Sequence, residues 1–246
     1  VALLLLLAIL QPHRWKNFIA LALSLAMVCS FSTTAFAQEA NMPNYDEETT
    51  KMYEELYAED QAVIAEIERN LPAMLEEGRI AAENDVKSDL PETRSSALGT
   101  YGDILVSLMI DSGSVGFAGH AAIVSSNSAK TIESYAKNWS PIDKDGVQYY
   151  DNTWNTKSGA LLVRPNGASS SQYSTAAAFA AKQVGKPYNW VFTNKTTTEK
   201  FYCSQLVWQA WLDAGINCET GSIPNAIIAP ADLVNSSNTY IVKKVQ

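Results

Sequence analysis

The sequence predicts an α+β domain: antiparallel strands packed against a helix that opens at Cys203, with an acidic helical segment ahead of them. Three observations carry that expectation. Between residue 98 and the C-terminus, short apolar and β-branched runs recur between Gly, Pro, Asn and Ser turn signals. Near the end, Cys203, Leu206, Val207, Ala210, Trp211 and Ala214 fall at helical spacing on one inward stripe. Upstream, residues 38–97 are rich in Glu and poor in Gly, with an apolar stripe of their own.

Residues 1–37 read as a secretory signal peptide. A short basic region, His13 to Asn17, precedes an apolar core from Phe18 to Phe31, and Ser32 to Ala37 ends in a small-x-small pattern. Cleavage is expected after Ala37, and the protein is expected to be secreted or held in the periplasm or cell envelope, with no stable membrane span. An uncleaved anchor is the alternative, but the apolar core is short for a span of about 20 residues. Val28 stands where a lipoprotein cysteine at Cys29 would need a small residue. The leading run Val1–Leu10 carries no initiator Met and reads as upstream sequence or a fragment edge. Cleavage removes Cys29 and His13, leaving Cys203, Cys218 and His120, and takes the net charge from −8 to −10. That acidic balance offers no basic patch for phosphates and excludes a nucleic-acid binder.

From Asp46 to Asn70, the residues Tyr53, Leu56, Tyr57, Val63, Ile64 and Ile67 form a helical stripe opposite an acidic face. Asn70 and Pro72 predict a break, with Pro72 opening a second helix through Asn84. The expectation is a helical pair that packs on the following domain or shields its cleft. Strands are then predicted at 101–108, 119–124, 130–136 and 159–164, the last stopped by Pro165, with a closing strand at 240–245. Between them, Ser174 is expected to cap a helix over 175–184 that Gly185 and Pro187 terminate.

Chemistry concentrates at three positions. A thiol at the N-terminus of a buried helix meets unpaired backbone N–H groups and the positive end of the macrodipole, and both favour thiolate. Free cysteines are often inert core residues, so the helix alone does not decide the role of Cys203. A disulfide to Cys218 is disfavoured, because a helix rising about 1.5 Å per residue carries that residue past bridging distance. His120 and Glu133 lie on the second and third strands, joined by the polar run Ser125–Ala129. A two-residue turn at Ser126-Asn127 sets His120 opposite Glu133. A turn at Asn127-Ser128 sets Glu133 opposite Ala122, diagonal to His120. Either register puts both on one face, whereas a three-residue turn would separate them. Singly, each residue has a bland explanation as a satisfied core histidine or a solvated charge. Together the three supply a base, its orienting carboxylate and a nucleophile.

The runs Gly102–Val106, Gly119–Val124, Thr131–Ser134, Gly185–Asn189 and Phe201–Trp208 resemble the permuted papain-like hydrolases of the NlpC/P60 superfamily, most closely the YiiX/YebB-like branch. The similarity runs from about residue 98 to residue 246, with His120 ahead of Cys203 in the permuted order. It implies a circularly permuted papain-like fold and a cysteine hydrolase with Cys203 as nucleophile, His120 as base and Glu133 as the orienting third member. Tyr202 and Tyr188 would line the cleft. The implied reaction cleaves an amide, in a peptidoglycan-type peptide or a related substrate. A lipid-type acyl hydrolase or acyltransferase on the same residues, or a non-catalytic cell-wall-binding module, are the alternatives. No cofactor is implied, and one histidine with two distant cysteines makes no zinc set. Residues 38–97 lie outside the resemblance.

Overall fold

Alternation along the strands sets the layers. In β1 (Ile104–Ser107), Ile104 and Val106 face one side of the sheet, Leu105 faces the other, and all three are fully buried. A strand covered on both faces reads as a continuous apolar run, as this one does. The computed structural model describes residues 43–83, 85–86, 97–109, 119–219 and 227–246. The expected leader, residues 1–37, lies outside them. Residues 43–246 fall in one compact unit.

β1 is followed by β2 (His120–Val124), β3 (Lys130–Tyr135), β4 (Gly146–Asp151), β5 (Leu161–Pro165) and β6 (Thr239–Lys244). They form one six-stranded sheet in the order β4-β3-β2-β1-β5-β6, and every neighbouring pair is antiparallel. This is the α+β architecture expected from the strand runs. β4 was not among the predicted strands, although Gly146-Val147-Gln148-Tyr149-Tyr150-Asp151 pairs along its full length with β3. Its two adjacent tyrosines blur the period of two: Tyr150 is buried and Tyr149 is exposed.

One face of the sheet packs on helices α2 (Ser170–Lys182) and α3 (Cys203–Asp213), through Tyr173, Ala176 and Ala180 of the first and Leu206, Val207, Ala210 and Trp211 of the second. The other face closes over a smaller cluster of Leu98, Leu105, Ala122, Val124, Trp154, Leu162 and Val245. α2 begins at Ser170, earlier than the expected cap at Ser174. Ser169 forms a capping box instead, accepting from Gln172 N–H at 3.3 Å while its own N–H donates to Gln172 Oε1 at 3.0 Å. Ser174 lies inside the helix and returns its hydroxyl to Ser170 O. Four polar residues in a row offered several caps, and the one with Gln three positions on prevailed. α3 stops at Gly215, whose φ of 86° lets Ile216 N–H reach back to Trp211 O at 2.9 Å.

The acidic segment corrects the expected helical pair. It is one continuous helix, α1 (Glu47–Glu83), with Pro72 inside it. Proline deprives the carbonyl of Glu68 of its helical partner, but both residues are exposed, so water can satisfy that carbonyl. The buried residues Tyr53, Leu56, Ile64 and Ile67 lie on the face turned to the core. Farther along, a Cβ at Gly78 would sit 1.8 Å from the backbone oxygen of Ile241, so α1 presses directly on β6. β6 is an edge strand, and the helix covers it. Beyond the helix, Asp85 accepts hydrogen bonds from Tyr240 at 2.5 Å and Tyr173 at 3.2 Å. A short helix, α4 (Pro230–Asn235), precedes β6 and also touches α1. Among the described residues no helix is long and apolar enough to cross a membrane.

Candidate active site

The β2–β3 register selects the second of the two turns. Ile123 pairs with Ile132 and Val124 with Thr131, which carries Glu133 opposite Ala122 and diagonal to His120. The diagonal is bridged directly: His120 Nε2 and Glu133 Oε2 are 2.8 Å apart, with side chains 1% and 3% exposed. The rest of the carboxylate is also occupied. Thr131 donates its hydroxyl to Glu133 Oε1, and Trp154 Nε1–H donates to the same oxygen at 3.0 Å. Tyr135 stacks on the imidazole at 4.0 Å between centroids, and Trp154 lies nearly parallel to it at 6.0 Å. Ring and carboxylate therefore have little room to turn.

Cys203 reaches this pair from the tip of α3. The two residues before it are fixed first. Phe201 forms a parallel bridge with Tyr188, its carbonyl accepts from Ser134 Oγ of β3 at 2.6 Å, and its N–H donates to Pro187 O at 3.1 Å. Tyr202 caps the helix in an extended conformation, its N–H donating to Gln205 Oε1 at 3.1 Å. Cys203 is 5% exposed, its sulfur lies 3.9 Å from Ser204 Oγ, and the His120 ring and the backbone N–H of Ala121 both act on it to favour the thiolate. With Nε2 held by Glu133, Nδ1 is the ring nitrogen left for the thiol.

Burial and charge oppose each other at all three groups. Burial alone would push the Cys203 thiol up, but its hydrogen bond to His120 and the imidazolium charge outweigh that and hold it below the usual thiol range. Burial would push His120 down. Its contacts with Cys203 and Glu133 reverse the sign and bring it up to about 8. Glu133 would be raised by burial and is instead held at about 2 by His120, with Lys157 and Thr131 adding to the effect. A thiolate–imidazolium pair steadied by a carboxylate is the state this geometry favours. Cys218 is also a free thiol, but burial pushes it up to about 12 and nothing opposes that.

Sequence reasoning placed Cys203, His120 and Glu133, and the structure brings these three together. Tyr188 is bridged to Phe201, two residues ahead of Cys203; burial raises its phenol most, and the Cys203 charge adds to that. Among the described residues no hydrogen bond engages that hydroxyl. Tyr202 corrects the expectation of a cleft-lining residue. It is 2% exposed, and its hydroxyl accepts from Ile228 N–H at 3.0 Å, so it anchors the chain next to Cys203. Thr131, Tyr135 and Trp154 were missed. Thr131 and Tyr135 share a strand face with Glu133 and could have been read from the period of two. Trp154 comes from a short 3₁₀ turn, Trp154–Thr156, and no pattern announces it. Among the described residues no three His, Cys, Asp or Glu side chains converge as a metal set.

Residues 100–241 match the model of a family described as permuted papain-like amidase enzymes, YaeF/YiiX, family C92. Among solved structures, the crystal structure of the metalloprotein yiiX from Escherichia coli O157:H7 is 18% identical, with a TM-score of 0.44 over 59% of this chain and 97% of that one. No curated protein matches the chain.

Proposed function

This chain belongs to the YaeF/YiiX family of permuted papain-like amidases and is a cysteine hydrolase; from that premise we propose that Cys203, His120 and Glu133 cleave an amide through an acyl-enzyme. The observation that carries the assignment is the buried 2.8 Å contact between His120 and Glu133, on a ring that also lowers the Cys203 thiol. The Cys203 thiolate attacks the carbonyl carbon, a C–S bond forms, and the carbonyl π electrons move onto oxygen. That oxyanion meets the backbone N–H groups of the first turn of α3, which have no partner within the helix. Collapse of the oxyanion breaks the C–N bond, and the imidazolium of His120 gives its proton to the departing amine. Neutral His120 then takes a proton from water, which attacks the thioester. The carboxylic acid leaves and the thiolate returns. Glu133 holds the ring orientation throughout and stabilises its charged form.

Two acyl groups suit the chemistry: a peptidoglycan-type peptide, in keeping with an exported protein, and a lipid-type acyl chain. Export rests on the order of basic, apolar and small residues before Ala37. Sequencing the secreted product should find Gln38 at its N-terminus.

The decisive experiment incubates the protein with peptidoglycan fragments and acyl-amide substrates and looks by mass spectrometry for an adduct on Cys203. An adduct on Cys203, absent from Cys203→Ala, names nucleophile and substrate together. Hydrolysis that survives both Cys203→Ala and His120→Ala would end the assignment.

A further inference from the structure

The helix α1 and its approach precede the family-matched span, 100–241, and yet they grip the loop that runs from Tyr188 to Phe192. Tyr45 donates its hydroxyl to Trp190 O at 2.6 Å. Within α1, the hydroxyl of Tyr53 accepts from Phe192 N–H at 3.2 Å, and both residues are buried. The rings repeat the contact. Tyr45 meets Tyr53 edge-on at 5.1 Å between centroids, Tyr53 meets Phe192 at 5.3 Å, and Phe192 meets Tyr202, the residue before Cys203, at 5.4 Å. The other side of the loop is tied as closely to the tip of α3. Asn189 N–H donates to Phe201 O at 3.1 Å, and the Asn189 amide donates to Gln205 Oε1 at 2.9 Å. That same oxygen accepts Tyr202 N–H. Asn189 Oδ1 accepts from Val191 N–H at 3.0 Å, which fixes the turn between the two sides. Asn189 and Gln205 are fully buried. The loop thus joins α1 to Phe201, Tyr202 and Gln205, the residues that set where the sulfur lies.

We propose that Tyr45 and Tyr53 are positioning residues for Cys203, which hold the tip of α3 against the His120 strand by way of the Tyr188–Phe192 loop; this rests on the hydrolase reading above. Phe192 N–H is the sensitive point. Without the Tyr53 oxygen a buried donor loses an acceptor, at a cost that the loop relieves by moving toward water. That movement carries Phe201 and Tyr202 with it, because their bonds to Asn189 and Gln205 are themselves buried and costly to break. The sulfur registers the displacement. Its interactions with His120 depend steeply on geometry, and they lead the contributions that oppose burial of the thiolate. The Tyr45 contact carries less, since Trp190 is half-buried and water can replace the hydroxyl on its carbonyl. Farther along α1 the anchor is a different one, Gly78 against Ile241 O of β6, so docking of the helix and bracing of the loop can be separated.

The test follows the pH dependence of Cys203 alkylation by iodoacetamide in the full chain, which reads the thiolate without any substrate. Tyr53→Phe should move the acid limb of that curve upward and slow alkylation at mildly acidic pH by about fivefold, and Tyr45→Phe should slow it by about twofold. On an amide that the protein hydrolyses, kcat should fall by similar factors while KM holds. Gly78→Ala controls for stability alone: it should lower the thermal midpoint at least as far as Tyr53→Phe does and leave the alkylation curve in place. Should Tyr53→Phe fail to fold, Tyr45→Phe reads the same loop through its other contact. Curves that coincide for the wild type and both tyrosine variants overturn the brace and leave the hydrolase. A Gly78→Ala curve displaced as far as that of Tyr53→Phe also overturns it, since α1 would then act only by holding the molecule together. If wild-type Cys203 shows no limb below the ordinary thiol range, the nucleophile reading falls and the brace with it.

Discussion

At the scale of single residues, the ionic state of the Cys203–His120 pair sets the pH behaviour. The active form needs thiolate and imidazolium together, so kcat/KM should be bell-shaped, with its alkaline limb near the His120 value of about 8 and its acid limb below the usual thiol range. Glu133→Gln removes one of the two charges that raise His120 and leaves that of Cys203. The alkaline limb should then move below 8, and kcat/KM should fall by about 10²-fold or more. A limb that stays in place would show that Glu133 does not act on the ring. Iodoacetamide at neutral pH should modify Cys203 and spare Cys218, whose thiol burial keeps up at about 12. The same contact is a stability term. Glu133 is held at about 2 against an ordinary 4.5, so its contribution is complete above 4.5 and is lost as pH falls toward 2. His120 is raised from 6.5 to about 8, so its contribution is complete below 6.5 and is lost as pH rises through 8. Urea midpoints should therefore peak between those limits in the wild type, and Glu133→Gln should flatten the profile on both sides.

At the scale of elements, the helix stripe of α3 and four of the five expected strands were legible within a residue or two at each start, because apolar periodicity and turn residues agree there. The first strand began three residues later than expected, since Tyr101-Gly102 forms the turn before it. α1 was misread because a local signal, proline, was given more weight than the stripe continuing past it. Met74 and Leu75 pack against the core beyond the proline, so tertiary contacts hold the helix together. Pro72→Ala should restore the missing bond to Glu68 and stabilise the protein by about 1–3 kcal/mol, read as a higher thermal midpoint. Gly78 tests the opposite case. A methyl there meets a backbone oxygen that cannot turn aside, so Gly78→Ala should destabilise by about 1–3 kcal/mol, although alanine is the better helix former. A gain at Gly78 would mean that α1 does not lie against β6.

At the scale of the whole molecule, Cys203, His120 and Glu133 were legible because each carries a rare chemistry at a structured position, and His120 is the one histidine beyond residue 37. The walls around them were not. Trp154, Phe192 and Ile228 lie far apart in sequence, on a 3₁₀ turn and two loops, and nothing local ties them together, yet one holds Glu133 and the others hold Tyr202. The matched family span, 100–241, gives no hint that residues 43–86 complete the body. Removing those residues should expose the partners of Tyr53, Leu56, Ile64 and Ile67 and bare the β6 edge. The shortened chain should aggregate or lose its cooperative transition in calorimetry; a soluble, fully active fragment would contradict the packing described.

The docking of α1 on β6 joins the first described helix of the chain to its last strand. A ribosome finishes the second long after the first, so the cover that α1 gives the open sheet edge cannot close while synthesis is under way. The other strands can pair as they emerge, but the last one finds its second neighbour waiting at the far end of the chain, and the molecule is sealed only when both ends have met.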